Sequence, residues 1–129
     1  MEKSNRELLT DWLVNVRGEE REEFENNEEA MSQIDAVVKK MNKGKVRIDG
    51  ENIVQELVRP IGEATSLRYK TFFTAREQQK VARNMKVEGE LSVAHNLIAA
   101  LTGLTQGEVG KMADKDIMTA SEIQTLYFL

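Results

Sequence analysis

The chain has 129 residues, 18 basic and 22 acidic side chains, a formal net charge of -4 and no cysteine, so disulfides, iron–sulfur clusters and cysteine-ligated zinc are excluded. A hydrophobic fraction of 40% with only 5% aromatics predicts one domain with an aliphatic core. The near-neutral total hides a basic centre: residues 1–58 and 87–129 carry -5 and -4, whereas residues 59–86 carry +5.

In chain order, Ser4 with Glu7 forms the pattern of a capping box, after which Leu8, Leu9, Trp12, Leu13 and Val16 share one helical face as far as Gly18. From Glu19 to about Asn42 a second helix is predicted. Its seven acids, Glu19, Glu20, Glu22, Glu23, Glu25, Glu28 and Glu29, precede Lys39, Lys40, Lys43 and Lys45, the order a helix dipole favours. Phe24, Met31, Ile34, Val38 and Met41, with Asn27 in the remaining slot, recur at spacings of three and four. That spacing fits a seam for self-association, or a face packed on the chain's own domain. The acids themselves fit a solvated face or a docking surface for a basic partner.

Val46, Ile48, Ile53, Val54, Leu57 and Val58 are strand formers, and Asp49-Gly50 between them signals a hairpin. Pro60 is expected to end the second strand, with Gly62 loosening the exit. A helical remainder is predicted. Leu67, Tyr69, Phe72 and Phe73 form its apolar-aromatic opening, and Thr74 with Glu77 caps a helix through Gln78, Val81, Ala82 and Met85 that breaks at Gly89. Leu91, Ala94, Leu97, Ile98 and Leu101 mark the next helix, closed by Gly103. Thr105 and Glu108 cap a short one, and Asp114 caps the last, through Ile117, Ile123, Leu126 and Leu129. The expected class is mainly α (α+β): a helical domain with one short β-hairpin near residues 45–58. Residues 1–44 read as an acidic helical hairpin or extension, joined to a 45–129 unit in one compact body.

Residues suited to catalysis are scarce, and neither an enzyme nor a cofactor is expected. His95 has no acidic neighbour to orient it. Asp114 and Asp116 lack the further ligands of a calcium loop, so helix capping explains them better. Gly107, Gly110 and Lys111 miss the spacing of a phosphate loop. Leu104 to Val109 reads like the opening of a helix-turn-helix, but residues 105–129 hold two lysines against four acids, which disfavours nucleic acid. The basic run Arg68, Lys70, Arg76, Lys80, Arg83 and Lys86 suits the acidic arms better. Leu91 to Gly107 is too polar for a membrane span and the N-terminus has no apolar signal core, so a place in the cytoplasm is expected.

Val46-Arg47-Ile48-Asp49-Gly50, Arg59-Pro60, Leu101-Thr102-Gly103-Leu104-Thr105, Met112, Asp116 and the terminal Tyr127-Phe128-Leu129 follow one another in an order that resembles the tail assembly chaperones of long-tailed bacteriophages and Mu-like prophages. The likeness covers about residues 45–129; the first 44 depart from it. It implies a non-enzymatic protein of the host cytoplasm that holds the tape measure protein soluble during tail assembly, with a longer frameshifted product beside it. The alternative is a small phage-encoded regulator or inhibitor, acting by DNA binding or by acidic mimicry of nucleic acid.

Adjacent Phe72 and Phe73 point about 100° apart on a helix, so both cannot centre one core face. With Tyr127, Phe128 and Leu129 they are expected to form a surface for a helical client or a second subunit, rimmed by Arg76, Lys80 and Arg83, or else to close the core. Met31, Met41, Met85, Met112 and Met118 suit either an adaptable surface or core filling.

Overall fold

The computed structural model of the protein describes residues 2–80 and 90–129. Its first helix, α1 (Asn5–Asp11), opens with the Ser4–Glu7 capping box and continues as a single π turn at Trp12–Val16. Two helices then occupy the place of the one expected between Glu19 and Asn42, α2 (Arg21–Glu25) and α3 (Glu28–Asn42). The break has a local cause. Asn27 does not extend the seam; its side-chain oxygen accepts from the N–H groups of Glu29 and Ala30 and so starts α3 afresh.

Three antiparallel strands follow, β1 (Val46–Asp49), β2 (Asn52–Ile61) and β3 (Ala64–Arg68), in that spatial order. The architecture is thus α+β, with a sheet one strand larger than the hairpin expected near 45–58. Two like turns build it: Gly50-Glu51 joins β1 to β2 and Gly62-Glu63 joins β2 to β3. Each glycine takes a positive φ, 63° and 59°, as the first central residue of a two-residue hairpin loop can require. Pro60 does not end β2, because the pairing with β3 is already irregular between Glu56 and Ile61 and no ladder N–H is lost there. Leu67 is therefore a strand residue and Tyr69 the first residue after β3, and neither is helical.

After β3, the Thr74–Glu77 capping box opens a helical stretch at 75–80. Val81, Ala82, Arg83, Met85, Lys86 and Gly89 lie outside the described residues. The remaining helices are α4 (Glu90–Thr102), α5 (Gln106–Val109) and α6 (Asp114–Thr125), ending in a 3-10 turn at Leu126–Phe128. Thr105 and Glu108 cap α5 reciprocally as expected. Asp114 does not cap α6; Ala113 holds that position.

One core draws on both segments of the chain: Leu9, Trp12 and Leu13 meet Ile34, Val37 and Val38, then Val46, Ile53, Leu67, Tyr69, Ile98, Leu101, Ile123 and Leu126. Burying each such aliphatic side chain is worth about 1.5–3 kcal/mol. The seam residues belong to this core. Phe24, Ile34, Val38 and Met41 are buried and Met31 packs against them, so the α2–α3 face is engaged within the chain.

The sheet buries one polar side chain, Gln55, and a hydrogen-bond network satisfies it. Gln55 Oε1 accepts from the Tyr69 hydroxyl at 2.6 Å, and Gln55 Nε2 donates to the Asp116 carbonyl at 3.0 Å. The buried Asp116 carboxylate accepts from the N–H groups of Val58 at 2.9 Å and Arg59 at 3.1 Å. These two successive donors lie in the irregular stretch of β2, where a bulge leaves N–H groups without strand partners. Asp116 supplies the missing acceptors. Asp116→Ala is expected to destabilise the protein by about 2–3 kcal/mol, the cost of leaving such donors unsatisfied, as urea unfolding would register.

Candidate functional site

The aromatic residues singled out by sequence are organised by one that was not, Arg17. The π turn puts it there. Its N–H reaches the Trp12 carbonyl at 3.0 Å, five residues back, and the extra residue sets the following side chain back by about 100° relative to a regular helix. Arg17 is thereby turned onto the face of Leu9 and Leu13, where its side chain is only 10% exposed.

Its guanidinium ties distant backbone together. Nη1 donates to the Thr71 carbonyl at 2.8 Å and Nη2 to the Tyr127 carbonyl at 3.0 Å, while Glu19 lies 3.7 Å away as counter-charge. The same group stands over two rings, 4.6 Å from the centroid of Tyr127 and 5.2 Å from that of Phe72. Arg17 thus fixes the segment leaving β3 and the C-terminal turn at once.

Around it runs a series of rings. Tyr127 packs edge-on against Trp12 and Phe73, at 5.8 and 5.7 Å, and Phe73 lies 5.7 Å from Phe128. The Tyr127 hydroxyl donates to the Lys70 carbonyl at 2.6 Å. Tyr127 is buried, and Phe73 and Leu129 pack against the core. Phe72 and Phe128 face outward, each 55% exposed. The five aromatic and terminal residues expected to act together do share one region, divided into a fixed base and two exposed rings.

The expected basic rim is placed differently. Arg76 and Lys80 are exposed on helical residues 75–80, but Lys80 lines a separate concavity with Glu77, Asn96 and Leu104, and Arg83 lies outside the described residues. Of the methionines, Met41 and Met112 fill core positions, Met31 is partly buried and Met118 is 61% exposed; Met85 lies outside the described residues. His95 is half-buried on α4. Among the described residues no cluster of His, Asp or Glu is arranged to hold a metal ion, and no helix is long and apolar enough to cross a membrane.

No family model, curated protein or solved structure matches the chain.

Two outcomes follow from this geometry. Arg17→Lys keeps the charge but loses the planar fork that reaches two carbonyls and stacks on two rings. It is expected to cost about 1–2 kcal/mol in thermal unfolding and to speed hydrogen exchange at residues 70–73 and 127–129. The second concerns both tyrosines of the chain. Burial pushes the Tyr69 and Tyr127 hydroxyls well above their ordinary pKa, for Tyr127 against the opposing pull of the Arg17 charge. The unfolded chain ionises first, so the stability held by these groups is intact below about pH 10 and falls as pH rises beyond it. Tyrosinate absorbance should therefore appear together with loss of the far-ultraviolet circular dichroism; a tyrosine titrating earlier in the folded protein would contradict this.

Proposed function

We propose that the chain is a non-enzymatic protein-binding module, a tail assembly chaperone that covers apolar helical faces of a tape measure protein in the host cytoplasm. The observation that carries the reading is the pair of half-exposed rings, Phe72 and Phe128, mounted on a base locked by Arg17, Tyr127 and Phe73. Aromatic side chains held in place before binding lose little freedom on binding, which suits a surface that must seize successive segments of a long helical client. The resemblance in sequence adds support, and so does a contact between its parts: the Arg-Pro at the end of β2 and the aspartate of α6 meet through the Arg59 N–H and the Asp116 carboxylate.

The test is a double change, Phe72→Ser with Phe128→Ser, in a cell co-expressing the chain with the tape measure protein. Both side chains are more than half exposed, so the melting temperature should fall by only a few degrees and the fold should persist. Soluble tape measure protein and its co-purification should fall together. Unaltered client solubility would remove the reading, and a shift of duplex DNA that weakens steeply with salt would favour a nucleic-acid regulator instead.

A further inference from the structure

A second surface, sharing no residue with the aromatic one, lies where α3 ends, β1 begins and α6 starts. Lys43, Lys45 and Lys115 line a concavity of about 340 Å³ there, with Val58 and Met118 as its exposed apolar members and Asp116 beside them. Val58 is 55% and Met118 61% exposed, so the groove leaves two large apolar side chains open to solvent. Among the described residues none of Lys43, Lys45 and Lys115 forms an ion pair. Of the other charged residues lining it, Lys40 is paired with Glu122 and Glu56 with Arg47, and the Asp116 carboxylate is held by backbone N–H groups. The groove therefore presents a net positive charge around an apolar centre.

We propose that this groove docks an acidic amphipathic helix of a partner protein. Charge selects the sign: carboxylates on the flanks of the helix meet Lys43, Lys45 and Lys115. Its apolar anchors, a turn apart, cover Val58 and Met118. The backbone selects the form. An added strand would need free donors on this part of β2, yet the Val58 and Arg59 N–H groups are already taken by Asp116, so the occupant binds through side chains. Nucleic acid would gain from the lysines but leave Val58 and Met118 uncovered.

The experiment uses the full chain and a fluorescent synthetic peptide, an amphipathic helix of about four turns with leucine on one face and glutamate on both flanks. The same peptide with glutamine for every glutamate is the control. The acidic peptide is expected to bind at least about tenfold more tightly than the control, and more weakly as salt rises. Lys43→Glu with Lys115→Glu should abolish that preference, and Met118→Ser should weaken binding severalfold, all with unchanged circular dichroism because these side chains are exposed. Equal binding of both peptides, binding of neither, or binding that ignores the lysine changes would overturn the proposal. So would stronger competition by duplex DNA, or free protein that self-associates through these residues. Loss of the groove would leave the Phe72–Phe128 reading standing, and the reverse holds as well.

Discussion

The Asp116 carboxylate accepts two successive backbone N–H groups from the irregular stretch of β2, and through that contact the start of α6 is fixed against the sheet. Much else hangs on where α6 lies. Its far end delivers Ile123 and Leu126 to the core and then Tyr127 to Arg17, while its first turns carry Lys115 and Met118 to the rim of the lysine groove. One buried carboxylate, fully hydrogen-bonded, thus sets both surfaces. A carboxylate is chemically apt for this task, because charge-assisted bonds to N–H groups are shorter and stronger than neutral ones and offset the cost of burying the charge.

The outer face of the sheet shows how a strongly charged chain can still bury what it must. Val54 lies between Arg47 on β1 and Arg68 on β3 in the strand register, and it is buried. The arginines find their partners to either side, Glu56 and Asp49, so their apolar stems can flank the valine while the charged ends stay wet. Exposed pairs of this kind add little stability individually. Their service is to shield a β-branched residue from solvent. Four of the basic residues between 59 and 86 have distinct surroundings: Arg68 and Lys70 are paired with Asp49 and Glu77, whereas Arg76 and Lys80 lie exposed.

Features encoded within a few residues were legible in the sequence. Ser4 with Glu7, Thr74 with Glu77 and Thr105 with Glu108 all form the reciprocal caps their spacing predicts, and Asp49-Gly50 does begin the turn of a hairpin. The third strand also has a local signal, since Gly62-Glu63 repeats the Gly50-Glu51 dipeptide. Pro60 lies inside β2 because a proline is tolerated in a strand where the ladder is already irregular. The break at Asn27 was legible in kind, as asparagine is a strong N-cap, but the regular spacing of Phe24 and Met31 across it argued for continuity. The roles of Arg17 and Asp116 could not be read. Arg17 reaches carbonyls 54 and 110 residues away, and Asp116 meets donors 57 and 58 residues away; no local pattern announces such pairings.

The π turn at Trp12–Val16 places the aromatic patch under an unusual kind of inheritance. Such a turn is what a regular helix becomes when it gains one residue without losing its ends. The orientation of Arg17, and with it the anchoring of Phe72 and Tyr127, therefore rests on the wide turn itself: eight residues beyond Leu9, a regular helix would aim it about 80° away, and the turn brings it back. Straightening the turn at unchanged length would swing the guanidinium off the patch by about 100°, whereas removing one residue at the exposed Asn15 would restore an ordinary helix with Arg17 still on it. In a chain of this design, a change that only straightened the helix would erase the surface with every one of its side chains still present, while a one-residue deletion would spare it.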